Sequence, residues 1–178
     1  MAQPTKLRVI IVGSGLAGLA AARVVREHHN VIIYERAGPD AATGGQGISL
    51  APNAVKILES VGFDRARAGG VVTSGYQSYN KDGQLRVDFD VDFHARYGAD
   101  ALTFKRSDFR DELLRLATAS ADELGSSVNS VKAVFNNGVV EIDAEEGTVV
   151  LQDGSTDKGD VVISPYLALL VFLLNNRN

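Results

Sequence analysis

Apolar and polar residues alternate along this chain in two rhythms, one of strand runs and one of helical faces. Leu7 to Val12 is a short, β-branched apolar run that stops at Gly13, the pattern of a strand buried on both faces in a parallel sheet. Leu16 to about His28 is rich in Ala and Leu, with Arg23, Arg26 and Glu27 toward its end, and predicts a helix lying close on that strand. Val31 to Tyr34 predicts a second strand. Gly38 to Gly47 is rich in Gly, Pro and Ala and predicts a mobile loop, after which Pro52 to Val61 predicts a helix stopped by Gly62.

The rhythm changes between Val71 and Phe93, where β-formers flank a Lys81-Asp82-Gly83 turn and predict antiparallel strands inserted between α/β units. Ser107 has the character of an N-cap, followed by Asp108, Asp111 and Glu112, with Phe109, Leu113, Leu116 and Leu124 spaced for one helical face. Val128 to Leu151 predicts a small meander with turns at Asn137-Gly138, Glu146-Gly147 and Asp153-Gly154. Val161 to Ile163 predicts one more buried strand. The pattern is α/β: a parallel sheet, an antiparallel insertion over about 71–100 and a β-meander, in one domain over 1–164.

Composition narrows the function classes. The 178 residues are 45% hydrophobic, enough for one sizeable core, and the net charge of -4 offers no broad basic surface for nucleic acid or anionic lipid. There is no cysteine, which removes disulfides, thiolate nucleophiles and Cys-based metal sites and fits a reducing, cytoplasmic setting. The apolar stretch Tyr166 to Leu174 is far shorter than the roughly 20 residues a membrane-spanning helix needs, so no membrane span is expected.

Candidate chemistry sits between the first strand and the first helix. Gly13-Ser14-Gly15-Leu16-Ala17-Gly18 is a G-x-G-x-x-G in the context that gives that motif meaning. Gly13 allows the tight turn, Gly15 lets a pyrophosphate approach the backbone, and Gly18 lets the helix lie against the strand. Glu35, at the end of the second strand, stands where a carboxylate can accept hydrogen bonds from a ribose diol. This is a Rossmann-like dinucleotide-binding unit, and on its own it does not separate FAD from NAD.

Three further stretches resemble the flavin-dependent aromatic monooxygenases of the salicylate-hydroxylase-like group. They are Val31-Ile32-Ile33-Tyr34-Glu35-Arg36, then Gly45-Gln46-Gly47-Ile48-Ser49-Leu50-Ala51-Pro52-Asn53-Ala54, then Phe104-Lys105-Arg106-Ser107-Asp108-Phe109. The resemblance covers roughly residues 7–163 and implies FAD as cofactor, NADH or NADPH as co-substrate, and dioxygen and a small aromatic molecule as reactants. It implies that Gly13, Ser14, Gly15 and Gly18 form the pyrophosphate turn and Glu35 meets the adenosine ribose, with Leu16, Ala17 and Arg36 also cofactor-binding. Gly47 and Ile48 would lie beside the flavin, and Arg106 would clamp phosphate or ribityl oxygens. Taken alone, Arg106 reads better as a helix-start arginine in a surface ion pair; the resemblance reverses that preference. In such enzymes the flavin does the chemistry, through a flavin hydroperoxide that delivers one oxygen atom, which suits a sequence with no visible catalytic triad.

Other chemistry is weaker. Asp88, Asp90 and Asp92 alternate with Val87, Phe89, Val91 and Phe93, which predicts a half-buried strand with a solvated acidic face in preference to a cation site. His28, His29 and His94 show no metal-ligand spacing. After Val161-Val162-Ile163 the group's pattern would continue Gly-Ala-Asp-Gly, whereas this chain reads Ser164-Pro165-Tyr166. Residues 165–178 are accordingly expected to be an aberrant apolar tail that has left the ancestral reading frame, and the chain to be a C-terminally truncated member of the group. Three functions remain in play: an FAD-dependent monooxygenase, a non-catalytic remnant that keeps part of the nucleotide site, and an NAD-binding domain of another oxidoreductase.

Overall fold

A computed structural model describes residues 5–41, 44–125 and 127–164; the apolar tail expected after Ser164 lies outside them. In chain order the elements open with β1 (Arg8–Val12), α1 (Leu16–Val25), β2 (Asn30–Tyr34), β3 (Gly47–Leu50) and α2 (Pro52–Ser60). There follow β4 (Val71–Thr73), β5 (Gly75–Tyr79), β6 (Leu85–Asp90), α3 (Phe93–Tyr97), β7 (Ala101–Lys105) and α4 (Arg106–Thr118). The chain continues with α5 (Ala121–Leu124), β8 (Val131–Val134), β9 (Val139–Asp143), β10 (Thr148–Leu151), β11 (Thr156–Lys158) and β12 (Val161–Ile163). Two compact units result, one drawn from Met1–Ala42 with Leu113–Asn178 and the other from Thr43–Glu112.

The first unit is built on a parallel sheet in the order β12-β1-β2-β8. Side chains alternate across a strand, so the buried Val9, Ile10 and Ile11 serve both faces of the sheet. On one face α1 packs through Gly18, Leu19 and Ala22. On the other, Ile10, Ile32, Tyr34 and Val162 form a core with Val149 and Leu151 of the meander β11-β10-β9. The buried Arg26, just past α1, donates to the carbonyl oxygens of Leu116, Ala117, Ala119 and Asn129, and so caps the end of α4. Burial and the neighbouring Arg23 lower its pKa.

The second unit holds the antiparallel sheet β3-β7-β4 and the hairpin β5-β6. Phe63, Phe104 and Phe109 form its aromatic centre, with ring centroids 5.1–5.7 Å apart. Arg65 bridges Glu59 and Asp100, both hydrogen bonds holding its pKa up.

Several local expectations change. β8 leaves the predicted meander and joins the parallel sheet beside β2, so Asn137-Gly138 links two sheets and is not a hairpin turn. Ser107 is not an N-cap: α4 starts at Arg106, directly after β7, and the Ser107 hydroxyl donates to Asp108. Leu124 belongs to a separate short helix, because Ser120 accepts from Glu123 N and caps α5. β6 is exposed on both sides, not half-buried, and Asp92 is the N-cap of α3, accepting from Ala95 N. α1 ends at Val25, with the chain to His28 tightened into i→i−3 turns.

Candidate dinucleotide site

The ends of β1 and β2 create the site. Gly13 leaves β1 with φ +94°, a conformation that strains any residue with a Cβ, and its N–H donates to Tyr34 O at 2.8 Å. The turn thereby brings the next residue against the end of β2. Ser14 is buried, and its N–H and Oγ donate to Glu35 Oε2 at 2.7 and 3.0 Å, while Glu35 Oε1 accepts from Ala37 N at 2.8 Å. Ser14 and Ala37 thus hold the carboxylate from two segments of chain.

Gly15 is the N-cap of α1, without a side-chain cap, and no acidic residue stands in the first helical turn. The first amides of a helix have no intrahelical acceptor, so the positive end of α1 is open to an anion. A Cβ built on Gly15 meets nothing within 4 Å, which marks free space above those amides, and Gly15 and Ala17 are exposed with Leu16 half-buried between them. Gly18 is the reverse case. A Cβ there would lie 2.2 Å from Gly13 O and 3.3 Å from Ile11 Cγ2, so only glycine permits this approach of helix to strand. Backbone amides at a helix start with room at Gly15 are the kind of donor set that takes an anion, and a fixed carboxylate beside them is the kind of acceptor a diol needs.

The remaining predicted residues fall into two places. Arg36 follows Glu35 and is exposed; Gly138 packs so tightly on it that a Cβ would come 2.5 Å from Arg36 Cβ. In the second unit, β3 pairs with β7 so that Gly47 faces Lys105 and Ile48 faces Phe104. The half-buried Arg106 follows at once, its N–H donating to Gln46 O at 2.9 Å. Gly47, Ile48 and Arg106 therefore form one cluster, joined by the β3–β7 pairing, with Gly47 opening a strand where the expected loop would have ended.

One bordering segment was missed. Asn136 N donates to Ala37 O and Asn137 N to Glu35 O, so the 135–138 link runs alongside the Glu35 corner, with Asn136 at φ +58°. The Asn-Asn-Gly sequence is the signal for such a turn, and it had been assigned to a hairpin.

The sequence profile described as pyridine nucleotide-disulphide oxidoreductase matches residues 7–164. The chain belongs to that family. Among its curated relatives is a 6-hydroxynicotinate 3-monooxygenase of Pseudomonas fluorescens, 31% identical over 89% of this chain and 40% of the relative. A 3-hydroxybenzoate 6-hydroxylase of Polaromonas naphthalenivorans is also 31% identical, over 90% of this chain and 40% of the relative. A crystal structure of 2-methyl-3-hydroxypyridine-5-carboxylic acid oxygenase superposes with TM-score 0.70 at 24% identity, covering 89% of this chain and 39% of that one, and shows the shared fold. The chain spans about 40% of the length of the curated relatives it matches. Its fold is the Rossmann-like FAD-binding one, and the matched relatives are aromatic hydroxylases, as the sequence resemblance implied. FAD is the cofactor this membership supports. Among the described residues no helix is long and apolar enough to cross a membrane.

Proposed function

We propose that this chain is the FAD-binding portion of an NAD(P)H-dependent monooxygenase that hydroxylates a small aromatic substrate with dioxygen. The observation that carries the reading is the open amide cradle at Gly15 beside a Glu35 carboxylate already fixed by Ser14 and Ala37. Gly13, Ser14, Gly15, Leu16, Ala17 and Gly18 would hold the pyrophosphate, Glu35 and Arg36 the adenosine ribose, and Gly47, Ile48 and Arg106 the flavin-side atoms. When bound, the flavin supplies the two-electron and oxygen chemistry. The residues named bind and orient it: the helix start neutralises phosphate charge, and the paired donors on Glu35 keep its acceptor oxygens in place for a diol. The absence of cysteine supports a cytoplasmic location.

A second reading, a nucleotide-binding remnant without turnover, rests on the same cradle, which would hold a nucleotide whether or not turnover follows. Two measurements on residues 1–178 separate the possibilities. Quenching of flavin fluorescence on titration of FAD, weakened about tenfold or more by Gly15→Val while NAD leaves the protein unchanged, is the expected result for an FAD site. Binding of NAD with no response to FAD would reject it. Substrate-dependent NAD(P)H oxidation by the same sample would then exclude the remnant.

A further inference from the structure

A second cleft lies on the meander side of the parallel sheet. Strand alternation places Arg8, Asn30 and Lys132 on the same face as Ile10, Ile32 and Tyr34, since Arg8 pairs with Asn30 and Ile32 with Lys132 in register. The meander packs on Ile10, Ile32 and Tyr34, and Arg8 at the start of β1 reaches it by donating from Nε to Lys158 O at 3.0 Å, while Asn30 and Lys132 stay exposed beside it. Beside it lies a cleft of about 540 Å³ lined by Arg8, Asn30, Ser130, Lys132, Thr156 and Asp157, with the edges of the buried Ile32 and Leu151 as its apolar part. Its volume falls within the range of small-molecule sites, about 300–1,000 Å³.

Charge and hydrogen bonding limit what it can take. Arg8 Nη2 contacts Asp157 Oδ2 at 2.6 Å, and the Tyr34 hydroxyl donates to the same oxygen at 2.8 Å. Burial, reinforced by the Asp157 hydrogen bond, pushes the Tyr34 phenol up to about 12, so it remains a neutral donor. Arg8 and Asp157 cancel, and Lys132 leaves the rim with a single net positive charge. Among the described residues, the side chains of Lys132, Asn30, Ser130 and Thr156 have no hydrogen-bond or ionic partner. One uncompensated cation, three neutral polar groups and an apolar floor form a donor set for one carboxylate on an apolar body. The Gly13 turn and Glu35 stand at the other end of the same strands, which is about 15 Å away along a five-residue strand.

We propose that this cleft binds a small organic monoanion, its carboxylate on Lys132 with Asn30, Ser130 and Thr156 and its apolar part on Ile32 and Leu151, independently of the dinucleotide. The test is a two-dimensional amide NMR titration of residues 1–178 with cyclohexanecarboxylate, cyclohexanecarboxamide and inorganic phosphate at pH 7 and low salt. Cyclohexanecarboxylate is expected to shift the amides of Asn30, Ser130, Lys132 and Thr156 saturably, with the Gly13–Gly18 amides unmoved. Lys132→Gln should weaken it about fivefold or more, and Lys132→Arg should stay within about twofold. Equal binding of the neutral amide, an unchanged affinity in Lys132→Gln, or phosphate binding as tightly as the organic acid would overturn the proposal. Lys132 is exposed, so the fold survives its replacement and a lost titration reports on the site.

Discussion

One methyl group has opposite meanings at two glycines three residues apart. Gly18→Ala forces a Cβ into Gly13 O, at 2.2 Å, and must push α1 off the sheet, which costs about 1–3 kcal/mol in chemical unfolding. Gly15→Ala meets open space at φ -72°, so stability stays within about 0.5 kcal/mol while nucleotide affinity falls. Equal destabilisation by the two changes would refute this division of labour. Tyr34 and Asp157 make a second case, in pH. Tyr34 has a folded pKa raised to about 12, so its contribution is complete below the unfolded value near 10 and is lost as pH climbs from there toward 12. For Asp157, burial raises the pKa but the hydrogen bonds from Arg8 and Tyr34 outweigh it and the net direction is down. Its contribution is present above the unfolded carboxylate range and fades as pH falls through the lower folded value. Tyr34→Phe should flatten the alkaline limb of a Tm-against-pH curve; an unaltered limb would show that the phenol does not cause it. The glycine spacing was legible from sequence because each glycine answers a local demand. The Ser14 bond to Glu35 was not, since it exists only once β2 has returned beside β1.

Elements were legible where their pattern is self-contained and obscure where a distant partner defines them. β1, α1 and β2 follow from an apolar run, a glycine turn and an Ala-rich face. β8 has much the same composition as the meander strands, and only its register against β2, Val31 with Val131 through Tyr34 with Val134, assigns it to the parallel sheet. The loop expected over Gly38–Gly47 gives way at Gly47 to β3, a strand the local pattern does not announce because it is defined by its pairing with β7. The β5-β6 hairpin carries a physical consequence of its own. Tyr76, Tyr79, Leu85, Val87 and Phe89 are all exposed, and Tyr76 opposes Phe89 with ring centroids 5.5 Å apart. Two open strands with apolar side chains invite association. Replacing Val87 and Phe89 with Thr keeps β-propensity and removes apolar area, so it should lower the binding of a hydrophobic dye and the self-association seen by light scattering, with the melting temperature little changed. If dye binding persists at the original level, the hairpin is not the surface responsible.

At the level of the molecule, the cofactor contacts proposed for this chain fall into two groups. The phosphate and ribose residues, from Gly13 to Arg36, lie in the first compact unit, and Gly47, Ile48 and Arg106 lie in the second. The adenosine half depends on one set of elements, β1, α1 and β2, whose geometry is fixed by the buried core and by the Ser14 and Ala37 bonds to Glu35. The flavin half draws on fewer of the proposed contacts, Gly47, Ile48 and Arg106. Binding energy should therefore be concentrated in the ADP portion of the ligand. Calorimetric titration of residues 1–178 is expected to give ADP and FAD dissociation constants within about tenfold of each other, a difference of roughly 1.4 kcal/mol. Ser14→Ala, which removes one of the donors on Glu35, should weaken both ligands by a similar factor, as expected if the shared adenosine half carries the affinity. Purification of a stoichiometric yellow complex, or FAD binding a thousandfold tighter than ADP, would place the dominant contacts at the isoalloxazine and contradict this distribution.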